Sequence, residues 1–268
     1  MVPAAVYPSG MTAVLDRSLI SVTGPDAPKY LQSMLTNDVE RVVPGGGVYA
    51  LLLTPKARII ADLEVFGVGE GEYVLGTPVE AREAVLQALV RSRFRSKVEL
   101  EPVEGGVAWG KTEAARAMLQ TPAGPEALLD SAAPADPSPE WEIARVEAGQ
   151  PRYMHEFDND SMPAEAGVVD RAVSFTKGCY PGQEPVARLF YRGHVNRGVR
   201  GLRLAGPADP GAEVTHEGKP VGRLTSPVDS PRFGHIALAI LRREVDDGAV
   251  LSAGGVEALA VPLPFAQS

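Results

Sequence analysis

Short apolar runs separated by turn-forming residues fill the chain after Arg200, and this pattern constrains its fold most strongly. The interruptions include Gly206-Pro207, Asp209-Pro210-Gly211 and Asp246-Asp247-Gly248. Glycine, proline and aspartate favour tight turns, and apolar runs of this length are typical of strands. The pattern therefore predicts an antiparallel β-barrel domain over residues 195–268.

Residues 1–194 carry a mixed pattern of strands and helices. Residues 11–22 are typical of strand, and a helix with Pro28 in its first turn is predicted to follow. Two apolar runs, 48–53 and 59–66, are separated by a five-residue turn and predict a hairpin. The chain is thus expected to be α+β, with an N-terminal mixed α/β region of two subdomains.

A proline-rich stretch, residues 121–140, lies inside this N-terminal region. It contains Pro122, Pro125, Pro134, Pro137 and Pro139 among alanines and acids. Proline lacks a backbone N–H and restricts the residue before it, so this composition predicts a surface connection between the two subdomains, or a lid. Ordered structure, a helix from Trp141, is expected to resume after it.

The overall charge argues against general nucleic-acid binding. The formal net charge is −8 and the isoelectric point is near 5.1. Neutralising nucleic-acid phosphates requires clustered Lys and Arg. No direct nucleic-acid partner is therefore expected, although local basic patches remain compatible with a small polyanion.

Cys179 is the chain's single cysteine. It excludes an internal disulfide and any all-cysteine zinc or iron–sulfur site, and the four histidines lack metal-ligand spacing, so no metal site is predicted. Since the sequence shows neither a signal-peptide pattern nor an apolar span of membrane length, we expect a cytoplasmic protein without a membrane partner.

The segment from Lys177 to Arg188 holds the residues with the clearest chemical potential. Pro181-Gly182 suits a type II turn, so the segment is expected to form a tight loop that presents the thiol of Cys179. Lys177 would favour the thiolate form of that cysteine. A buried structural cysteine is the alternative, and His155 and His194 are the candidates for a catalytic base.

This segment, Lys177-Gly178-Cys179-Tyr180-Pro181-Gly182-Gln183-Glu184, resembles the K-G-C-Y-x-G-Q-E signature of the folate-binding YgfZ/GcvT-like family. Similarity to the wider glycine-cleavage T-protein superfamily extends over nearly the whole chain. It includes residues 24–27, 35–39, 59–63, 145–149, 221–226 and 262–265.

The resemblance implies a T-protein-like ring of three subdomains around a hole that binds tetrahydrofolate or a one-carbon derivative. It also implies a role in supporting iron–sulfur proteins and tRNA-thiolating iron–sulfur enzymes, with Cys179 taking part in the activity. Such a folate site needs an aromatic wall and a few placed polar groups. The residues proposed for it are Tyr153, Phe175, Lys177, Tyr180, Gln183, Glu184 and Arg188.

The main alternative is an aminomethyltransferase that, like the T-protein, transfers a one-carbon unit to tetrahydrofolate. Asp62 matches the position of the T-protein carboxylate, and a carboxylate aimed into a pocket suits acid–base chemistry. Strand alternation also allows Asp62 to face outward. The T-protein segment Gly-Tyr-Thr-Gly-Glu has no counterpart here, which favours the YgfZ assignment. A ligand-free protein adaptor is the third hypothesis.

Overall fold

The computed structural model describes residues 13–131, 135 and 138–266, which form two open sheets, a closed barrel and five α-helices. In the N-terminal region the strands are β1 Ala13–Leu15, β2 Arg17–Thr23, β3 Gly47–Leu53, β4 Ile59–Gly69, β5 Glu72–Pro78, β6 Glu99–Val103, β7 Gly106–Trp109, β8 Ala117–Thr121 and β9 Gly124–Leu129. The helices are α1 Ala27–Met34, α2 Arg82–Ser92, α3 Pro139–Glu147, α4 Val169–Ala172 and α5 Gln183–Arg192. The barrel strands are β10 Arg197–Leu204, β11 Glu213–His216, β12 Lys219–Ser230, β13 Gly234–Arg242, β14 Val250–Ala253 and β15 Val256–Val261.

The larger open sheet is five-stranded and antiparallel, in the order β3-β4-β5-β2-β6. The predicted hairpin is confirmed as β3 and β4, which pair from Gly47 opposite Phe66 to Leu53 opposite Ile59. One face of this sheet is covered by α1 and α2, and Leu31 and Leu89 of these helices are fully buried. The opposite face carries the polar groups of the candidate site.

The second open sheet has the order β1-β7-β9-β8 and corrects one prediction. Part of the proline-rich stretch, expected to be a surface connection, is the internal strand β9, which pairs with both β7 and β8. Pro125 is tolerated near the start of this strand because it contributes its carbonyl, which accepts a hydrogen bond of 2.8 Å from the Gly110 amide. Pro134 and Pro137 lie outside the described residues.

The predicted antiparallel barrel is confirmed. Its six strands close in the order β10-β13-β12-β11-β14-β15, and β10 pairs with both β13 and β15. Alternating side chains such as Leu202, Leu224 and Leu251 fill its interior. With the mixed N-terminal region, this confirms the α+β fold class.

Helix α3 joins the barrel to the N-terminal region through a buried arginine. Arg145 is fully buried, and its guanidinium donates to Ser226 of the barrel at 2.6 Å and to Glu156 at 3.2 Å. Ser226 in turn donates to Glu156 at 2.6 Å. A buried charge is stable only when it is paired in this way, so the barrel and the N-terminal region share one polar network.

Among the described residues, no helix has the length and apolar character needed to cross a membrane.

Candidate functional site

A buried guanidinium between two carboxylates forms the centre of the candidate site. Arg17 Nη2 lies 2.8 Å from Asp62 Oδ2 and 2.8 Å from Glu64 Oε1. The relative exposure of Asp62 is 2% and that of Glu64 is 0%, so the outward-facing alternative for Asp62 is wrong. Although burial alone would lower it, the two carboxylates raise the pKa of Arg17 above its ordinary value.

Strand alternation explains why these groups meet. Asp62 and Glu64 are two residues apart on β4, so their side chains leave the same face of the sheet. Tyr49 of β3 and Gly76 of β5 lie directly opposite Glu64. Gly76 leaves the space that the Glu64 carboxylate fills, because a Cβ at Gly76 would lie 2.2 Å from Glu64 Oε2.

A third carboxylate reaches this centre from the second sheet. Glu126 of β9 has a relative exposure of 2% and accepts a 3.5 Å hydrogen bond from Gln150. Burial raises the pKa of Glu64 to about 8, opposed by Arg17 and reinforced by Glu126 and Asp62. Burial also raises the pKa of Glu126, opposed by Arg17. The two open sheets therefore enclose two carboxyl groups whose pKa values burial raises.

We call the group of residues around this centre the polar chamber. Its members are Arg17, Tyr49, Asp62, Glu64, Glu126 and Arg171. The Arg171 guanidinium lies over the Tyr49 ring, 4.2 Å from its centroid. Burial raises the pKa of Tyr49 well above its usual range, so its hydroxyl stays protonated.

Several polar atoms of the chamber are buried without a hydrogen-bond partner. They include Arg17 Nη1, Arg171 Nη2, the Tyr49 hydroxyl, Asp62 Oδ1 and Glu64 Oε2. Buried polar groups in folded proteins are nearly always satisfied, and unsatisfied ones cost about 1–3 kcal/mol each. Donors and acceptors left open in one place indicate a site for a ligand that offers both.

A cavity of about 120 Å³ adjoins the chamber, with Arg17 lining it. Trp141 and Tyr153 supply aromatic walls, and Pro78 and Met154 add apolar surface. The indole Nε1 of Trp141 is buried without a hydrogen-bond partner. Burial raises the pKa of Tyr153, with Asp62 contributing, so this predicted residue lies close to the chamber. The cavity suits an aromatic ring joined to the polar group in the chamber.

The loop from Lys177 to Glu184 is fixed by its lysine. Lys177 Nζ donates to the main-chain oxygens of Gln32 at 2.5 Å, Leu35 at 2.6 Å and Asn37 at 2.9 Å. These oxygens lie at and just after the C-terminal end of α1, where carbonyls lack helical partners and a cation is favoured. Burial lowers the pKa of Lys177 to about 8, which leaves the ammonium protonated at neutral pH. Lys177 thus anchors the loop, and its predicted contact with a cofactor stays a prediction.

The predicted type II turn is present. Gly182 has φ 83° and ψ 1°, and the Gln183 amide donates to the Tyr180 carbonyl at 3.2 Å. Only glycine fits here, because a Cβ would lie 2.7 Å from the Thr54 carbonyl oxygen of the β3–β4 turn. Tyr180 is buried beneath the loop, and burial raises the pKa of its hydroxyl to about 12.

Cys179 is exposed, so the buried structural alternative is wrong. Within the described residues, no hydrogen bond joins it to His155 or His194. His155 instead contacts Arg152, and burial with this arginine lowers the pKa of the imidazole. The loop therefore presents an accessible thiol, and neither of the two candidate histidines is hydrogen-bonded to it in the described part of the chain.

The remaining predicted residues lie along α5 and its flank. Glu184 and Arg188 pair with each other at 3.5 Å on an exposed helix face, with side-chain exposures of 88% and 68%. Gln183 begins the helix. Phe175 stacks on Phe190 with ring centroids 4.4 Å apart. The structure thus places Asp62 and Tyr153 at the chamber and its cavity, and gathers the other predicted residues in the loop and α5.

The residues that sequence reasoning did not propose are the other five members of the chamber. Glu64 carried a usable signal, because it follows Asp62 at strand spacing in an apolar run. Arg17 and Glu126 carried none, since they come from strands far apart in sequence. Only the fold brings them to Asp62.

Two family models match separate parts of the chain. A model described as the GCVT N-terminal domain matches residues 9–125, and one described as the CAF17 C-terminal beta-barrel domain matches residues 196–266. The second match begins at residue 196, one residue before the first barrel strand, β10.

Curated relatives extend the similarity over most of the chain. A mitochondrial protein of Pyricularia oryzae named iron-sulfur cluster assembly factor IBA57 homolog is 30% identical, over 95% of this chain and 79% of its own length. A Vibrio atlanticus protein named tRNA-modifying protein YgfZ is 26% identical, over 90% of this chain and 86% of its own. The solved glycine cleavage system aminomethyltransferase T of Bartonella henselae shares the fold, with TM-score 0.79, 19% identity, and coverage of 96% of this chain and 87% of that one.

Proposed function

The chain belongs to the YgfZ/GcvT-like family, and on that premise we propose that it binds tetrahydrofolate, or a one-carbon derivative, in the polar chamber. We propose further that it uses this site and its exposed thiol to support iron–sulfur cluster assembly. The observation that carries the proposal is the set of buried, unpartnered polar atoms around Asp62.

The residues present fit a reduced pterin. Its ring offers N–H donors and a carbonyl acceptor in one plane, and the chamber offers the Asp62 Oδ1 acceptor beside the donors Arg17 Nη1 and Tyr49 hydroxyl. Satisfying these buried atoms would recover the free energy lost by leaving them unpaired. When bound, the pterin would supply nitrogen atoms able to carry a one-carbon unit.

The adjoining cavity fits the next part of such a ligand. A folate continues from its pterin to an aromatic ring, and the cavity places Trp141 and Tyr153 beside Arg17. Aromatic faces bind rings by stacked or edge-to-face contact. The polar chamber and the aromatic cavity together therefore support a folate better than they support a small polar metabolite.

Roles in iron–sulfur cluster assembly and in tRNA modification are supported by the relatives that carry these words in their names. The structural counterpart in this chain is Cys179, which is exposed on a loop that Lys177 anchors. The thiolate form of a cysteine is a strong ligand for iron and zinc and a nucleophile toward sulfur. Iron–sulfur proteins are accordingly the proposed partners.

The aminomethyltransferase alternative retains one favourable observation, the buried Asp62 with its free Oδ1. The ion pair with Arg17 argues against Asp62 as a proton acceptor, because a nearby guanidinium stabilises the ionised carboxylate. Release of a one-carbon unit from an aminomethylated donor protein to tetrahydrofolate would establish that activity.

The folate proposal is tested by anaerobic calorimetric titration with tetrahydrofolate and its 5-formyl derivative. Wild type should bind saturably, and Asp62→Asn should bind at least tenfold more weakly. Asp209→Asn, at an exposed aspartate of the barrel, is the matched control and should bind like wild type. Absence of heat with both folates at high concentration would overturn the proposal in favour of a ligand-free adaptor.

The thiol proposal is tested separately in cells that lack the endogenous protein. Cys179→Ala should fold and bind folate normally, yet lower the activity of a cluster-dependent dehydratase in extracts. Asp209→Asn again serves as the control. Full dehydratase activity with Cys179→Ala would contradict a role for the thiol.

A further inference from the structure

One side-chain amide joins two walls of the polar chamber. Asn37 follows α1, and its Nδ2 donates to the Tyr49 carbonyl of β3 and to the Arg171 carbonyl of α4, each at 2.8 Å. Its Oδ1 accepts from the Asp38 amide at 2.9 Å. A side-chain amide has two N–H groups, and both are used here. Asn37 therefore has no donor left for a ligand and acts on the walls themselves.

Thr36, the residue before it, holds the same two elements side by side. Its buried hydroxyl donates to the Ala172 carbonyl of α4 at 2.6 Å and accepts from the Leu51 amide of β3 at 2.8 Å. These bonds do not involve the side chain of Asn37. Strand β3 and helix α4 thus stay joined when Asn37 is replaced, which allows its role to be tested in a folded protein.

The two residues that Asn37 holds both present open donors to the chamber. The Arg171 guanidinium stacks on the Tyr49 ring at 4.2 Å from its centroid, and a cation is attracted to an aromatic face. Arg171 Nη2 and the Tyr49 hydroxyl are buried without a hydrogen-bond partner. Within the described part of the chain, no carboxylate forms an ion pair with Arg171. The stacked ring and the clamped main chain are therefore what place its guanidinium.

We propose that Arg171 is a further ligand-binding residue of the chamber and that Asn37 is its positioning residue. The proposal rests on the proposed folate site for the identity of the ligand. Arg171 Nη2 donates a hydrogen bond to an acceptor atom of the pterin, which satisfies a donor that is otherwise buried and unpaired. Asn37 touches no ligand atom, and it keeps Arg171 on the Tyr49 ring so that the donors of both residues face the same space.

The positioning role is tested first without ligand, by proton–nitrogen correlation spectroscopy of the arginine Nε–H groups. A proton above an aromatic face resonates upfield, so wild type should show one upfield Nε–H signal that Arg171→Lys lacks. Asn37→Ala should move this signal toward the ordinary arginine position, and Asn37→Ser, which keeps one donor, should move it less. Backbone signals of β10–β15 report that each variant is folded.

The matched control for this spectrum is Asn196→Ala, at an exposed asparagine before β10, which should leave the upfield signal in place. A signal that also stays in place in folded Asn37→Ala would overturn the positioning role.

The ligand contact is then tested by a double-mutant cycle on tetrahydrofolate affinity. Arg171→Met and Asn37→Ala should each weaken binding about tenfold, the loss expected for one hydrogen bond from a charged group. The double variant should bind about as weakly as Arg171→Met, because Asn37 acts through Arg171. Asn196→Ala should bind like wild type. Losses that multiply to about a hundredfold in the double variant would overturn the action of Asn37 through Arg171.

The two measurements separate this inference from the proposed function. If tetrahydrofolate does not bind wild type at all, the folate proposal and the ligand contact of Arg171 fail together, while the upfield signal still decides whether Asn37 positions Arg171. If wild type and Arg171→Met bind it equally, the folate site stands and the contact of Arg171 is wrong.

Discussion

The guanidinium of Arg17 lies 2.8 Å from the carboxylate of Asp62, the one residue that sequence similarity to aminomethyltransferases singled out for chemistry. This contact links β2 to β4 through side chains, although β5 separates these two strands in the sheet. It also orients Asp62 so that Oδ2 is occupied and Oδ1 stays open to the chamber. Arg17 therefore positions Asp62 for a ligand, in addition to offering its own unpartnered Nη1.

Replacing Arg17 with Met should strongly destabilise the protein, because two buried carboxylates would lose their cation. Breaking a buried pair in this way costs roughly 3–5 kcal/mol, and urea unfolding monitored by Trp fluorescence would measure it. Adding Asp62→Asn should recover part of the loss. Arg41→Met removes an exposed arginine and should change stability by less than about 0.5 kcal/mol. An equal change in the free energy of unfolding for both arginine variants would show that the buried ion pair stabilises the protein no more than the exposed one.

Gly76→Ala should disturb the same centre by a steric clash alone. The added Cβ would lie 2.2 Å from Glu64 Oε2 and would push the carboxylate away from Arg17. Overpacking of a buried site costs roughly 1–3 kcal/mol, and folate affinity should fall as well. Gly206→Ala is the matched control, since nothing lies within 4 Å of its added Cβ. Equal unfolding midpoints for the two variants would contradict this packing.

Much of the fold was predictable because local patterns specify it. Turn residues between short apolar runs indicated the barrel, and Pro181-Gly182 indicated the type II turn. Strand β9 was missed because proline content outweighed its short apolar run, while pairing with β7 and β8 supplied the missing stability. Composition indicates only the local propensity of a segment, and the long-range pairing of β9 overrides that propensity.

The chamber was less predictable because its members are distant in sequence. Arg17, Asp62 and Glu126 lie on three strands of two sheets, and no local spacing relates them. Strand alternation alone did not decide whether Asp62 is buried or faces solvent. The second sheet buries it by covering that face of the larger sheet. The anchoring role of Lys177 was not predicted, because its hydrogen bond to Leu35 at the end of α1 joins residues 142 positions apart in sequence.

Lys177→Met should loosen the signature loop without disturbing the barrel. Three carbonyls near the end of α1 would lose their donor, at a cost of roughly 2–4 kcal/mol in local stability. Hydrogen exchange should then accelerate at residues 32–37 and 177–182 and stay unchanged in β10–β15. Lys219→Met, at an exposed lysine of the barrel, should leave both regions protected. Unchanged exchange in the loop would contradict the anchoring role.

Stability should also depend on pH through Glu64. Its pKa is raised in the folded state, so the protonated form stabilises the protein below the ordinary carboxyl pKa, and this contribution is lost as pH rises toward about 8. The free energy of unfolding of wild type should therefore decrease between about pH 5 and 8, by at most about 1.4 kcal/mol per pH unit from this group. Glu64→Gln removes the titration and should give a flatter profile. Parallel profiles for the two proteins would contradict the raised pKa.

The exposed position of Cys179 predicts that the native thiol reacts almost as fast as an unfolded one. Burial slows thiol reagents by requiring local opening, and Cys179 needs none because it is exposed on the surface of a fixed loop. Reaction with a chromogenic disulfide should label one thiol per chain, and adding urea should change the rate by less than about threefold. A Ser161→Cys variant in a Cys179→Ala background places the only thiol at a buried position, and its labelling should be slow until the protein unfolds. Slow native labelling of Cys179 would show that the loop closes over its sulfur, and a direct thiol contact with a partner protein would then require that loop to open first.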